Sequence, residues 1–148
     1  MTTQEDLAVY FEQESRWRSR RANDYPFDGR NEQSAAALLA LADYVRSLPE
    51  DHPCLQAARA YDLHFRGRLA ESGLDSGSAS YPAARIGFGS QEPFDAGREL
   101  CRYVEQGLAD QVGYRGPADD VTADDELADL RDALTAFQAW LAAEGLSR

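Results

Sequence analysis

The chain reads as all-α: a single-domain bundle of about five mostly antiparallel helices, with a long loop between the third and fourth. Three observations predict this. Alanine-rich segments carry apolar residues at three- and four-residue spacing, the period of a helix with one buried face. Proline and glycine cut those segments apart through short connectors, and short links make neighbouring helices antiparallel. A chain of 148 residues with 43% apolar content has enough material for one core, so residues 1–148 are expected to form one unit.

The first helix is predicted from Thr3 to Arg21 or Ala22, with Leu7, Tyr10, Phe11 and Trp17 on its apolar stripe. A connector containing Tyr25-Pro26-Phe27 and ending in Gly29 follows. Asn31 or Ser34 then caps a second helix that buries Leu38, Leu41, Ala42, Val45 and Leu48. It must stop before Pro49, because the residue ahead of a proline is pushed out of the α region. Asp51 or His52 opens the third helix, with Pro53 in the first turn where a missing N–H costs nothing. That helix collects Cys54, Ala58, Tyr61, Phe65 and Leu69 on one face and ends at Gly73.

Between Gly73 and Ser90 the periodicity gives way to Gly, Ser and Ala, which predicts a flexible loop over about 74–90. Unstructured connections of this length inside a domain are usually functional or disordered. Helix four is expected from Glu92–Phe94 to Gly113, burying Leu100, Cys101, Val104, Leu108 and Val112. Gly97 and Gly107 within it each cost about 1 kcal/mol against alanine, so they imply local looseness or a close neighbour. Thr122, with Asp125 three residues on, caps helix five, whose Leu127, Leu130, Leu134, Phe137 and Leu141 lead to a stop at Gly145.

Charge narrows the function classes. All fifteen basic residues are arginine, against 26 carboxylates, for a net charge of −11. Such a charge repels polyanions, so nucleic acid and anionic membranes are disfavoured partners. No run is long and apolar enough for a membrane span, and Met1 to Glu14 lacks the pattern of a secretory leader. Cys54 and Cys101 fit a reducing compartment better than a disulfide framework, which predicts a cytoplasmic protein.

Two local features stand out as candidate sites. Arg16, Trp17, Arg18, Arg20 and Arg21 crowd the end of helix one, where arginine suits carboxylate or phosphate and could engage a protein partner. The competing account, cations complementing the helix C-terminal dipole and pairing with Glu12 and Glu14, is the favoured one for that cluster. The second feature is the glycine-containing turn of Arg85, Gly87, Gly89 and Ser90, with Tyr81 nearby, which feeds helix four. Backbone N–H groups at a helix start could hold a small anionic ligand there, but the segment matches no complete phosphate-loop pattern.

Catalytic and metal signatures are weak. Asp51-His52-Pro53-Cys54 resembles an activated thiol at a helix start, but Cys54 falls on the apolar stripe and burial is the stronger expectation. Two histidines without Glu-x-x-His spacing argue against a di-iron bundle. Asp119, Asp120, Asp124 and Asp125 lack the calcium-loop pattern, and Asp62 with Arg66 reads as an ion pair. No catalytic residue, metal or cofactor is assigned. Leu39 and Leu63 lie off the main stripes and suggest apolar contact surface.

The leading expectation is therefore a non-enzymatic interaction protein: an adaptor, regulator or assembly subunit that binds a protein partner or itself. The alternative is a small helical enzyme or ligand-binding protein that holds an anion under the 74–90 loop, oriented by Arg85, Tyr81 and Tyr61.

Overall fold

The computed structural model describes residues 3–61, 95–114 and 121–146. Among them are five α-helices and no strand: α1 (Thr3–Asp24), α2 (Arg30–Ser47), α3 (53–61), α4 (Ala96–Tyr114) and α5 (Val121–Ala143). The fold is all-α, as the apolar spacing predicts. The expected loop at 74–90, the helix-three stop at Gly73, and Leu63, Phe65, Asp62 and Arg66 lie outside the described residues. No helix among the described residues is long and apolar enough to cross a membrane.

α1 and α2 form an antiparallel hairpin whose register is written in its side-chain bonds. Gln4 Nε2 donates to the carbonyls of Val45 (2.9 Å) and Leu48 (2.6 Å), Ser15 Oγ donates to the Ala35 carbonyl (2.7 Å), and Arg18 Nη1 donates to Asn31 Oδ1 (3.3 Å). As the α1 number rises the α2 number falls in step. Gln4 also performs a terminal task, because the last carbonyls of a helix have no partner within it. On the outer side Arg46 bridges Glu5 and Glu12, tying the same two helices together.

The buried stripe of α1 is Leu7, Ala8, Phe11, Ser15 and Arg18. Trp17 does not join it. At about 100° per residue Trp17 sits on the Tyr10 flank, while Arg18 falls in line with Leu7 and Phe11. Tyr10 is partly buried against the core and Trp17, two turns on, is 43% exposed. The expectation that Trp17 packs into the core is corrected on this geometry.

α2 starts one residue before the expected cap. Gly29 occupies the N-cap position without a side-chain bond, Asn31 accepts from Arg18, and Ser34 is fully buried. At the other end Leu48 is extended ahead of Pro49, as the restriction before proline requires. α4 begins after Asp95, whose Oδ1 accepts the Arg98 N–H at 3.2 Å as an N-cap. α5 begins at Val121, so Thr122 lies inside the helix rather than at its cap. Its end does follow expectation: Gly145 adopts φ 74°, with Gly145 N–H bonded to the Ala142 carbonyl and Leu146 N–H to that of Leu141. That pairing is a Schellman motif, and the left-handed backbone it needs is why a glycine stands there.

All five helices contribute to one apolar cluster. Phe11, Leu38, Leu41, Val45, Leu100, Val104, Leu108 and Leu130 are its most deeply buried large members. Each large aliphatic side chain so buried contributes about 1.5–3 kcal/mol of transfer free energy. Inside the cluster Tyr103 meets Phe11 and Tyr61 edge to face, at centroid distances of 5.0 and 5.6 Å, so one ring joins α1, α3 and α4. Tyr10, Tyr61 and Tyr103 surround one another, and burial pushes the Tyr10 and Tyr103 phenols far above their ordinary values. They remain neutral and serve as packing.

Candidate functional site

The arginine-rich end of α1 leads into a turn that α2 continues. Tyr25 N–H bonds to the Arg21 carbonyl (3.1 Å), and Asp28 N–H to the Tyr25 carbonyl (3.0 Å), which closes a reverse turn with Pro26 at its second position. Asp28 then fixes the start of α2. Its carboxylate accepts Arg30 Nε (2.9 Å), Arg30 Nη2 (2.7 Å) and the Arg30 backbone N–H (3.1 Å), a fork that holds the carboxyl down at about 2. The turn is thus held from both sides. Phe27, at its third position, is directed away from the bundle and is 101% exposed.

Two further aromatic rings lie on the same end. Trp17 and Tyr25 are 43% and 53% exposed. The Arg18 guanidinium lies 4.8 Å from the Trp17 ring centroid and that of Arg21 lies 5.5 Å away, so two cations rest on one indole. Arg21 also lies 5.2 Å from the Tyr25 centroid. Guanidinium groups stacked on aromatic faces lose part of their freedom before any partner arrives, while their N–H edges keep donor capacity.

The five predicted partner-binding residues divide into two kinds. Arg16, Trp17, Arg20 and Arg21 are exposed. Arg18 is buried, donates to Asn31, and sits beside Glu14; burial pulls its guanidinium below the ordinary value and raises the Glu14 carboxyl. It positions the turn rather than presenting charge. Arg16 reaches Glu12 only at 4.0 Å, a contact that screening by water makes weak. Arg16 and Arg20, with Glu12, Gln13, Ser19 and the half-exposed Leu39, line a groove of about 630 Å³ on the outer seam of α1 and α2.

The predicted anion site of Tyr81, Arg85, Gly87, Gly89 and Ser90 lies outside the described residues. Tyr61, offered as its third member, is buried among Tyr103, Gly107 and the core. His52 does not face the Cys54 thiol as a base would. Its Nδ1 accepts the Cys54 backbone N–H at 3.1 Å, capping the start of α3, and its ring packs edge-on against Trp140. Cys54 is 1% exposed, and its thiol is pushed up by Cys101 and by burial, the opposite of activation. Among the described residues no three His, Cys, Asp or Glu side chains converge as metal ligands would.

Sequence reasoning missed Tyr25 and Phe27 as surface, taking them only as a connector. The available signal was Pro26 between two aromatics: proline presets the backbone of a turn, and such connecting turns run over the protein surface. Compared with protein-family models, curated proteins and solved structures, the chain gives no match.

Proposed function

We propose that the protein is a non-enzymatic interaction module, an adaptor, regulator or assembly subunit that docks through the turn end of its first helical hairpin. The partner is an acidic protein segment carrying apolar side chains, on another protein or on a second copy of this chain, which itself bears 26 carboxylates. The observation that carries this reading is the full exposure of Phe27 beside the half-exposed Trp17 and Tyr25, with guanidinium groups of Arg18 and Arg21 on the indole. Tryptophan, tyrosine and arginine are the residue types that dominate binding hot spots. A ring with no neighbours gains from cover, and the exposed arginines select an acidic partner.

Nucleic acid ranks lower, because a net charge of −11 opposes a polyanion at every distance the local cluster does not control. Two free cysteines suit a reducing compartment, and the cytoplasm is the proposed location.

Hydrogen–deuterium exchange on the complex isolated from its own host, against the stripped protein, tests the proposal. Protection that appears over residues 16–30 supports it. Protection confined to α4 and α5, with the α1–α2 turn unchanged, refutes it.

A further inference from the structure

The outer seam of the α1–α2 hairpin and the outer face of α5 carry matching surfaces that the bundle itself leaves unused. On α1, Arg16 and Arg20 stand one turn apart, about 6 Å along the axis. Both are exposed; Arg16 has only the 4.0 Å contact with Glu12, and Arg20 makes no ion pair among the described residues. With Leu39 of α2, 50% exposed, they line the groove on the outer seam. That seam lies across the Leu7–Phe11–Arg18 line from Tyr10 and Trp17, so it is a surface separate from the aromatic turn. A groove with one apolar side chain and two extended cations is suited to a helix that brings short carboxylates and little bulk.

The outer face of α5 is such a helix. Its buried line is Leu127, Leu130, Phe137 and Leu141. On the opposite side Asp125, Asp129 and Asp132 fall within about 60° of one another at 100° per residue, and all three are exposed. They make no ion pair among the described residues. The same face continues through Ala136, Ala139 and Ala143, also exposed, so no long side chain holds a neighbouring helix away. From these two complementary faces we infer that α5 of one molecule docks in the α1–α2 groove of a second copy of this chain, its aspartates on Arg16 and Arg20 and its alanines over Leu39.

The register of the hairpin sets the direction of docking. Ser15 is level with Ala35, and higher α2 numbers lie beside lower α1 numbers, so Leu39 sits on the Glu12 side of Arg16. The aspartates precede the alanines along α5, and the incoming helix therefore runs antiparallel to α1. The contact joins two different surfaces, so a molecule that gives its α5 keeps its own groove and association proceeds head to tail. A net charge of −11 on each copy opposes this. At physiological ionic strength the Debye length is about 8 Å, which screens the spread of charge over the two molecules but not pairs in contact. Exposed ion pairs contribute little each, so the complex is weak, with a Kd of about 0.1 mM, and comes apart at micromolar dilution.

The test is sedimentation equilibrium of the full-length protein in about 0.15 M salt, from about 0.01 to about 1 mM. The weight-average mass should climb with concentration from that of the monomer to that of a dimer and beyond. Over the same range the amide NMR shifts of Arg16, Arg20, Leu39, Asp129 and Asp132 should move together, which locates the contact in the unmutated protein. Arg16→Glu/Arg20→Glu and Asp125→Arg/Asp129→Arg should each weaken association by about tenfold or more, because each sets like charges face to face. Mixed in equal amounts the two variants should associate again, since the reversed face of each complements the other. Phe27→Ser, which alters only the aromatic turn, should associate as the wild type does, so failure of the turn and failure of the groove give different results. A mass that stays monomeric to about 1 mM, shift changes confined to other surfaces, reversed variants that do not restore one another, or a different polypeptide held in the groove would each overturn the inference.

Discussion

The ring of Tyr61 fills the space that any side chain on Gly107 would need: a Cβ built there would overlap the ring's Cδ2, Cε2 and Cζ. Tyr61 is only 3% exposed and is braced edge-on by Tyr103, so it has nowhere to go. Gly107→Ala should therefore destabilise the fold. Overpacking costs about 1–3 kcal/mol and the better helix propensity of alanine returns about 1 kcal/mol, leaving a net loss of about 1 kcal/mol in urea unfolding. Unchanged or increased stability would mean that α3 and α4 are not in contact at this point.

Gly97 supplies the contrast. Its added Cβ would meet only the hydroxyl end of Tyr44, at 3.0 Å, on a half-buried side chain that can move aside. Helix propensity should win there, and Gly97→Ala should stabilise by about 0.5 kcal/mol in the same urea assay.

The exposed turn should be separable from the fold. Phe27→Ser and Tyr25→Ser remove rings with little or no packing, so each should change unfolding free energy by less than about 0.5 kcal/mol. Arg18→Ala should cost about 1 kcal/mol or more, because it removes a buried stem and the bond to Asn31. If Phe27→Ser were as costly as Arg18→Ala, the ring would be a core element and its availability to a partner would be lost as an argument.

The Asp28–Arg30 fork gives the turn a pH signature. Asp28 is lowered from an ordinary value of 3.8 to about 2 by the Arg30 guanidinium and backbone N–H. A lowered carboxyl stabilises the folded state above its unfolded pKa, and that contribution fades as pH falls from about 4 through about 2. Glu5, lowered by Arg46, acts with the same sign, whereas Glu14, raised by burial, gains as it protonates. An NMR titration of the Asp28 carboxyl should give a midpoint near 2 in the wild type and a value near the ordinary one in Arg30→Ala. Equal midpoints in the two proteins would show that the fork does not form in solution.

The helices were legible because each carries its own period and its own punctuation. Leu38, Leu41, Ala42 and Val45 had only one face to share, and Pro49 and Gly145 stop helices for local reasons that no tertiary contact overrides. Trp17 was misread because an apolar side chain is credited to the core, although its angle about the helix axis already placed it beside the Leu7–Phe11–Arg18 line. The glycines of α4 told of close neighbours without naming tyrosine as the neighbour.

Native mass spectrometry of the protein isolated from its own host is the most direct measurement, made on the wild type and on a Phe27→Ser/Arg21→Glu double variant. The interaction account predicts a stoichiometric second polypeptide, or a second copy of this chain, that is retained by the wild type and lost from the folded variant. A monomer that carries a stoichiometric small anion, held equally by both proteins, would contradict it.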